Sequence, residues 1–217
     1  GGPIYDHSVT QQIRMKLNFG SQLSKMHFFK TGFEFNYVDL DNHRFAYWPS
    51  HMEESAYEYN FEVSPYSFGA YVQDQITFEA MVANIGIRMD HYSNGDLRWP
   101  TGAPFNTVAL GPTPPPEDWL EHLKNGGSVI WDRWRKVDAE LKAAGEPGLL
   151  EPTKSWTVFS PRFGVSFPVT ERSKFYFNYG QYSQMPAFSE LYFYNCRWAK
   201  QGTFNLGNPN MPPIKTV

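Results

Sequence analysis

The sequence predicts an all-β protein, an antiparallel transmembrane β-barrel segment with about six strands and the start of a seventh. Three observations lead to this prediction. Residues 66–92 form two runs in which polar and apolar side chains alternate, and a strand has this period of two. Each run has about ten to twelve residues, enough for a tilted strand to cross the hydrocarbon of a bilayer. The same pattern recurs along the 217 residues, with connections that are alternately short and long.

The first two arms of this pattern are Thr10–Leu23 and Met26–Leu40, joined by a short turn at Ser24-Lys25. Apolar residues occupy most of the alternate positions of each arm, with Thr31 among them in the second, and polar residues or glycine lie between them. The apolar positions are Ile13, Met15, Leu17 and Phe19 in the first arm and Phe29, Phe33, Phe35 and Tyr37 in the second. Such an alternation predicts strands with one apolar and one polar face.

The next two arms are Tyr66–Phe78 and the run from Met81 to Tyr92. Their apolar positions are Phe68, Ala70, Val72 and Ile76 in the third arm and Met81, Ala83, Ile85, Ile87 and Met89 in the fourth. Asp74 interrupts the apolar face of the third arm. Between the apolar positions of the fourth arm lie Asn84, Gly86, Arg88 and Asp90.

The last two full arms are Trp156–Phe167 and Lys174–Ser183, with a turn at Pro168–Ser173 between them. Their apolar positions are Phe159, Phe163, Val165 and Phe167 in the fifth arm and Phe175, Phe177 and Tyr179 in the sixth. Pro161 lies inside the fifth arm and predicts a bulge or a late start of that strand, because proline has no N–H to donate to a neighbouring strand.

The connections after arms one, three and five are tight, whereas those after arms two, four and six are long. This layout predicts short periplasmic turns at one end of a barrel and long extracellular loops at the other. The predicted extracellular loops are Asp41–Pro65, Ser93–Ser155 and Gln184–Ile214. The loop of residues 93–155 is also expected to contain a short helix, because Ile130, Trp134, Val137 and Leu141 have helical spacing and Gly145 follows them.

Composition and charge exclude several other classes of protein. No stretch approaches the roughly 18 consecutive apolar residues of a transmembrane helix. The net charge of −3 and the absence of a basic run give no reason to expect nucleic acid as a partner. The six histidines lack the spacing of metal ligands, and no nucleophile–base or acid–base set is recognisable. The sequence therefore predicts no enzyme, no metal site and no cofactor.

Two sets of side chains are assigned to the two faces of the predicted wall. The residues expected to face lipid are Leu17, Phe33, Phe35, Val72, Ile85, Ile87, Val165 and Phe177. The polar residues expected to face the lumen are Arg14, Lys16, Lys30, Glu34, Gln73, Gln75, Arg88, Asp90 and Arg162. The polar set has two interpretations: a network of hydrogen bonds and ion pairs in the wall, or a path for a transported substrate.

Aromatic residues of the predicted loops are the candidates for contact with a ligand. They are Trp99, Trp119, Trp131, Trp134, Tyr192, Tyr194 and Trp198. Aromatic rings of this kind stack on sugars or planar chelates, but they also pack loops together. Both interpretations are open at this point.

Several segments resemble the TonB-dependent outer-membrane receptors. Ala70–Phe78, followed by Asn84–Tyr92, resembles a strand pair of that family, and so, more weakly, does Thr31–Asp39. Ser160–Tyr192 resembles its SPR-G-S-P-V-T hairpin. Leu206–Val217, with the sequence LGNPNMPPIKTV, is similar to the GNP motif that opens the next strand, although Met211-Pro212-Pro213-Ile214 departs from the usual pattern.

The resemblance implies a multi-pass β-barrel in the outer membrane of a Gram-negative type of cell. Receptors of the family bind and import a scarce nutrient, such as a siderophore, cobalamin, a glycan or a peptide. They work with a plug domain and the TonB energy-coupling system, and lipid surrounds them. Residues 1–217 are expected to be a partial barrel without a plug, from a longer protein. The alternatives are a soluble antiparallel β module that binds carbohydrate and a structural outer-membrane barrel that transports nothing.

Overall fold

The computed structural model describes residues 4–46, 57–100, 121–122, 125, 129–192, 194–197 and 204–217. Antiparallel strands dominate this part of the chain, as the sequence predicts. The strands are β1 (Ile4–Asp6), β2 (Val9–Gln22), β3 (His27–Ala46), β4 (Tyr57–Val63), β5 (Tyr66–Phe78), β6 (Met81–Ser93), β7 (Arg98–Pro100), β8 (Leu150–Pro152), β9 (Trp156–Thr170), β10 (Ser173–Gly180), β11 (Tyr182–Gln184), β12 (Tyr194–Arg197), β13 (Phe204–Leu206) and β14 (Ile214–Thr216). The helices are α1 (Val129–Ala143) and α2 (Phe188–Leu191).

Ten of the strands form one open antiparallel sheet. Three hairpins with tight turns, β2–β3, β5–β6 and β9–β10, follow one another in this sheet. They correspond to arms one to six, and the pairings β3–β5 and β6–β9 join them. The registers of β2–β3, β3–β5, β5–β6 and β6–β9 are unbroken. The predicted order of arms, and the short turns between their pairs, are thus confirmed.

The second arm is longer than the sequence predicts. β3 continues beyond Leu40 to Ala46, and β4 folds back along it with Leu40 opposite Val63. β1 pairs with the other edge of the same extension, where Asp6 lies opposite Arg44. The first and last residues of the predicted loop 41–65 therefore pair with each other as the two strands of a β-hairpin. The alternation of polarity stops at Leu40, but backbone pairing on both edges satisfies the N–H and C=O groups that follow.

Pro161 neither delays the start of β9 nor introduces a bulge, contrary to the expectation from sequence. β9 begins at Trp156, and Pro161 lies opposite Ile87 in an unbroken register with β6. On the other edge, the N–H of Gln181 donates to the carbonyl of Pro161 over 3.0 Å. Proline cannot return that hydrogen bond. The pairing of β9 with β10 accordingly ends at Gly180, and β11 pairs instead with β14, the start of the seventh arm.

The sheet has one apolar face that no other element covers in the described part of the chain. By register, Leu17, Phe33, Ala70, Met89 and Phe159 form one row across five strands. The side chains on this face are open to the surroundings: Leu17 is 64% exposed, Phe33 43% and Ile85 50%. Within the described ranges, no second sheet packs on it, as a soluble β-sandwich would require. An exposed apolar surface of this extent marks contact with lipid or with another protein.

The hydrophobic core lies among the loops, away from the centre of the sheet. It contains the buried side chains of Val63, Trp99, Trp134, Val137, Leu149, Leu150, Leu191 and Tyr192. These residues come from all three long connections between arms. The predicted helix in the loop of residues 93–155 is present as α1, and Gly145 ends it with φ of +80°. No helix of the described residues is long and apolar enough to cross a membrane.

Candidate functional site

The nine polar residues assigned to the lumen lie together on the face opposite the apolar one, here called the polar face. The strand register brings them into horizontal rows. Lys16, Glu34, Gly69 and Asp90 form one row, and Lys30, Gln73, Gly86 and Arg162 form a lower one. Arg14, Gln75 and Arg88 occupy rows of the same face.

Arg88 is the centre of the charged network on the polar face. Its Nε donates to both carboxylate oxygens of Asp90 at 2.8 and 3.0 Å, and its Nη2 lies 2.7 Å from Asp90 Oδ1. Nη2 also lies 3.6 Å from Glu34 Oε2. One guanidinium therefore neutralises two carboxylates, in the geometry that makes arginine a better partner for carboxylates than lysine.

Gly69 makes room for this network. It lies directly opposite Asp90, and a Cβ built on Gly69 would overlap Arg88 and Asp90 Oδ1. Gly32 similarly leaves space for the ring of Tyr71, whose hydroxyl donates to Asn18 Oδ1 over 3.1 Å. The glycines of the polar face allow neighbouring long side chains to lie flat on the sheet. Sequence analysis included Arg88 and Asp90 but missed Tyr71 and Asn18, although both fall on the polar positions of their arms.

The loop aromatics divide into buried and partly exposed side chains. Trp99 is 1% exposed, and Trp134 and Tyr192 are fully buried, so these rings pack the loops together. Trp131 is partly buried and makes edge contacts with both tryptophans, at centroid distances of 5.6 and 4.9 Å. Of the other candidates, Trp119 and Trp198 lie outside the described residues, and only the backbone of Tyr194 is described, in β12.

Asn94 joins two of the long loops, and sequence analysis did not single it out. Its side chain is buried and uses both ends of the amide. Nδ2 donates to the carbonyl of Pro209 over 2.9 Å, and Oδ1 accepts from the hydroxyl of Tyr192 over 2.5 Å. Trp99 Nε1 adds a hydrogen bond to the carbonyl of Gly207 over 3.1 Å. The LGNPN segment, residues 206–210, is thus docked onto the connection that follows β6.

Gly207 must be glycine for this docking. A Cβ on it would lie 2.6 Å from the carbonyl oxygens of both Glu190 and Leu191, and backbone cannot move aside as a flexible side chain can. The resemblance of this segment to a motif was the signal available in the sequence. Its role, which is to bring the chain back over α2 towards β14, depends on contacts with residues far away in the chain.

Two titratable groups of the loop cluster have shifted pKa values. Burial raises the pKa of Tyr192 well above its ordinary value. Burial would also raise the pKa of Asp138, but hydrogen bonds from Lys142 and from the N–H of Leu150 outweigh it and lower that pKa. Asp138 therefore holds α1 to the start of β8 as a carboxylate.

Asp74, which interrupts the apolar face, has a partner in the structure. Its Oδ2 lies 2.6 Å from Nδ1 of His27, the first residue of β3. The two residues lie on the same face, in neighbouring rows, near the tight turns. Pairing reduces the cost of placing an ionisable side chain among apolar ones.

The arrangement offers a charged surface on the polar face of the sheet. Among the described residues, no group of His, Cys, Asp and Glu side chains is arranged to hold a metal ion. What the site offers is a polar wall with a surplus of cations, below a packed cluster of loops.

Comparison with protein families gives one finding. The family model described as "TonB dependent receptor-like, beta-barrel" matches residues 3–217. No match to the chain is found among curated proteins or among solved structures.

Proposed function

Because the chain belongs to the TonB-dependent receptor β-barrel family, we propose that it forms part of an outer-membrane receptor that binds and imports a scarce nutrient. The family consists of transporters, and its barrels lie in the outer membrane. In this proposal the chain contributes part of the barrel wall and the loops that contact the ligand. The plug domain and the TonB system supply closure and energy.

The two-faced sheet is the observation that carries the proposal. The six arms, which are β2, β3, β5, β6, β9 and β10, present mainly apolar side chains on one face and mainly polar side chains on the other. The ionisable side chains on the apolar face include His27, Asp74 and His91. A wall between lipid and an aqueous lumen needs this separation over the full height of the membrane. The residues proposed to meet lipid are those of the apolar face, such as Leu17, Val72 and Ile85.

The loop cluster is the proposed place of first contact with the nutrient. Trp131 is the aromatic side chain of the described candidates that remains partly accessible, and Arg135 lies over its ring at 6.0 Å. The buried rings of Trp99, Trp134 and Tyr192 would act indirectly, because they fix the position of Trp131 and of α1. Trp119, Tyr194 and Trp198 remain candidates for direct contact.

The experiment that tests this function is a competition in culture. A strain from which the segment encoding β2 to β10 has been deleted in frame is grown with its parent under limitation for an iron–siderophore complex, cobalamin, a glycan or a peptide. We expect the deletion strain to be lost under limitation for one nutrient class and retained when that nutrient is abundant. Equal fitness in all four limitations would contradict the proposal, and a protonophore should abolish uptake of the nutrient in the parent.

A further inference from the structure

We propose that the polar face is an anion-attracting track that leads from the loop cluster towards the tight turns, so that the imported ligand is a small molecule with carboxylate, phosphate or comparable anionic groups. This inference rests on the proposed function, because it assumes that the polar face lines the path of the ligand. It goes beyond that function by specifying that the ligand is negatively charged.

The basic residues follow one another down the wall. Arg14 lies in the row of Asn36 of β3, and Lys16 lies in the row of Glu34. Arg88 lies in the next row, that of Gly32, through the pairing of Tyr71 with both. Lys30 and Arg162 share the row below. Four consecutive rows therefore carry a cation, and neighbouring rows are about 7 Å apart because side chains on one face repeat every two residues.

Acidic residues do not cancel this charge. In these four rows of β2, β3, β5, β6 and β9 the carboxylates are Glu34 and Asp90, which occupy the same row. Arg88 lies within ion-pair distance of both. Among the described residues, Arg14, Lys16, Lys30 and Arg162 have no carboxylate within 4 Å. The excess of positive charge on this face is opposite in sign to the net charge of −3 on the whole chain.

Two of these four cations, Lys30 and Arg162, have contacts that leave their charge available to a ligand. The ammonium of Lys30 lies 5.1 Å from the centre of the Phe28 ring, and the guanidinium of Arg162 lies 4.8 Å from the centre of the Tyr182 ring. Such contacts with aromatic faces position a cation without neutralising it. Arginine and lysine in successive positions along a pore favour anions, and several weak sites allow a bound ion to move on to the next.

An acidic surface of the plug domain is the other occupant that these charges could suit. The two occupants predict different accessibility of the polar face to small molecules in solution. A plug that neutralised the four cations would cover the side chains between them, whereas a track for ligands must be reached by small anions from solution. The test therefore measures both the access to the polar face and its preference for charge.

The experiment uses the full receptor that contains this chain, with Cys196 replaced by serine. Single cysteines are introduced on the polar face by Ser67→Cys and Gln73→Cys, and by Lys25→Cys in the turn between β2 and β3 as a reference. The rates of modification by an anionic and a cationic methanethiosulfonate of similar size are measured by mass spectrometry of the peptide. We expect the ratio of anionic to cationic rates on the polar face to exceed that at the reference by about tenfold at low salt.

The ratio should fall towards that of the reference when Lys16→Gln and Arg162→Gln are combined. Arg172→Gln, which removes the same kind of charge in the β9–β10 turn, is the matched control and should leave the ratio unchanged. A ratio at the polar-face cysteines equal to or below that at the reference, or no reaction of either polar-face cysteine, would each overturn the proposal. These results do not depend on nutrient uptake, so the anionic track can fail while the receptor function stands.

Discussion

Arg88 and Asn94 show at the residue scale how polar side chains are accommodated in this chain. Arg88 satisfies two carboxylates on the polar face, and Asn94 satisfies one donor and one acceptor inside the loop cluster. In both places the alternative is a buried polar group without a partner, which costs about 1–3 kcal/mol. These side chains therefore fix the positions of their neighbours as much as the apolar contacts do.

Replacing Asn94 tests this argument. Asn94→Ala leaves the carbonyl of Pro209 and the hydroxyl of Tyr192 without partners, so we expect the LGNPN segment to lose about 1–3 kcal/mol of local stability. Hydrogen exchange of the amides of residues 207–211 measures this loss. Tyr192→Phe removes one of the two hydrogen bonds, and the effects of the two changes should be non-additive because they share that bond. Unchanged exchange in Asn94→Ala would contradict the proposed docking.

At the scale of elements, the strands are the part of the fold that the sequence predicts best. Alternation of polarity locates β2, β5, β6 and β9 to within a few residues, because one apolar and one polar face require it. The extension of β3 beyond Leu40 was missed because pairing with β1 and β4 stabilises it, and both partners lie elsewhere in the chain. The same reason explains why neither the His27–Asp74 pair nor the Asn94 contacts could be foreseen.

The candidate site was predictable in one part and not in the other. The alternation of polar and apolar positions along the strands is enough to assign Arg14, Lys30 and Arg88 to one face. This alternation says nothing about how loops fold. The sequence therefore left open whether Trp99 and Trp134 contact a ligand or pack the loops together. The structure buries both rings because three loops converge there, and only tertiary contacts bring those loops together.

The attachment of α1 to β8 should depend on pH. The folded-state pKa of Asp138 is lowered below the ordinary value of about 3.9. Its contribution to stability is therefore fully present above about pH 4 and is lost as the pH falls through the folded-state pKa. We expect hydrogen exchange of the Leu150 amide, relative to an unstructured peptide at the same pH, to accelerate as the pH is lowered below 4 in the wild-type protein. Asp138→Asn should exchange faster at neutral pH and show a smaller acceleration at acid pH. An identical pH profile in both proteins would contradict this account.

At the scale of the whole molecule, three features combine into one architecture. The tight turns lie at one end of the arms and the packed loops at the other, and the sheet between them separates apolar from polar side chains. A soluble module would have to cover the apolar face, and in the described part of the chain nothing does. The family match over residues 3–217 agrees with this architecture.

The central claim is that the apolar face meets lipid while the polar face does not. It is tested most directly by fluorescence quenching in the full receptor, reconstituted with lipids that carry bromine on their acyl chains. A fluorophore is attached to single cysteines in place of Leu17, Phe33 or Ile85 on the apolar face and of Lys16 or Glu34 on the polar face.

Brominated chains quench a fluorophore only on contact, so the account predicts strong quenching at the three apolar positions and little at the two polar ones. Each label is compared with the same label in unbrominated lipid, in a background in which Cys196 is serine. Equal quenching on the two faces, or none at the apolar positions, would contradict the claim that this sheet is the wall of a membrane barrel.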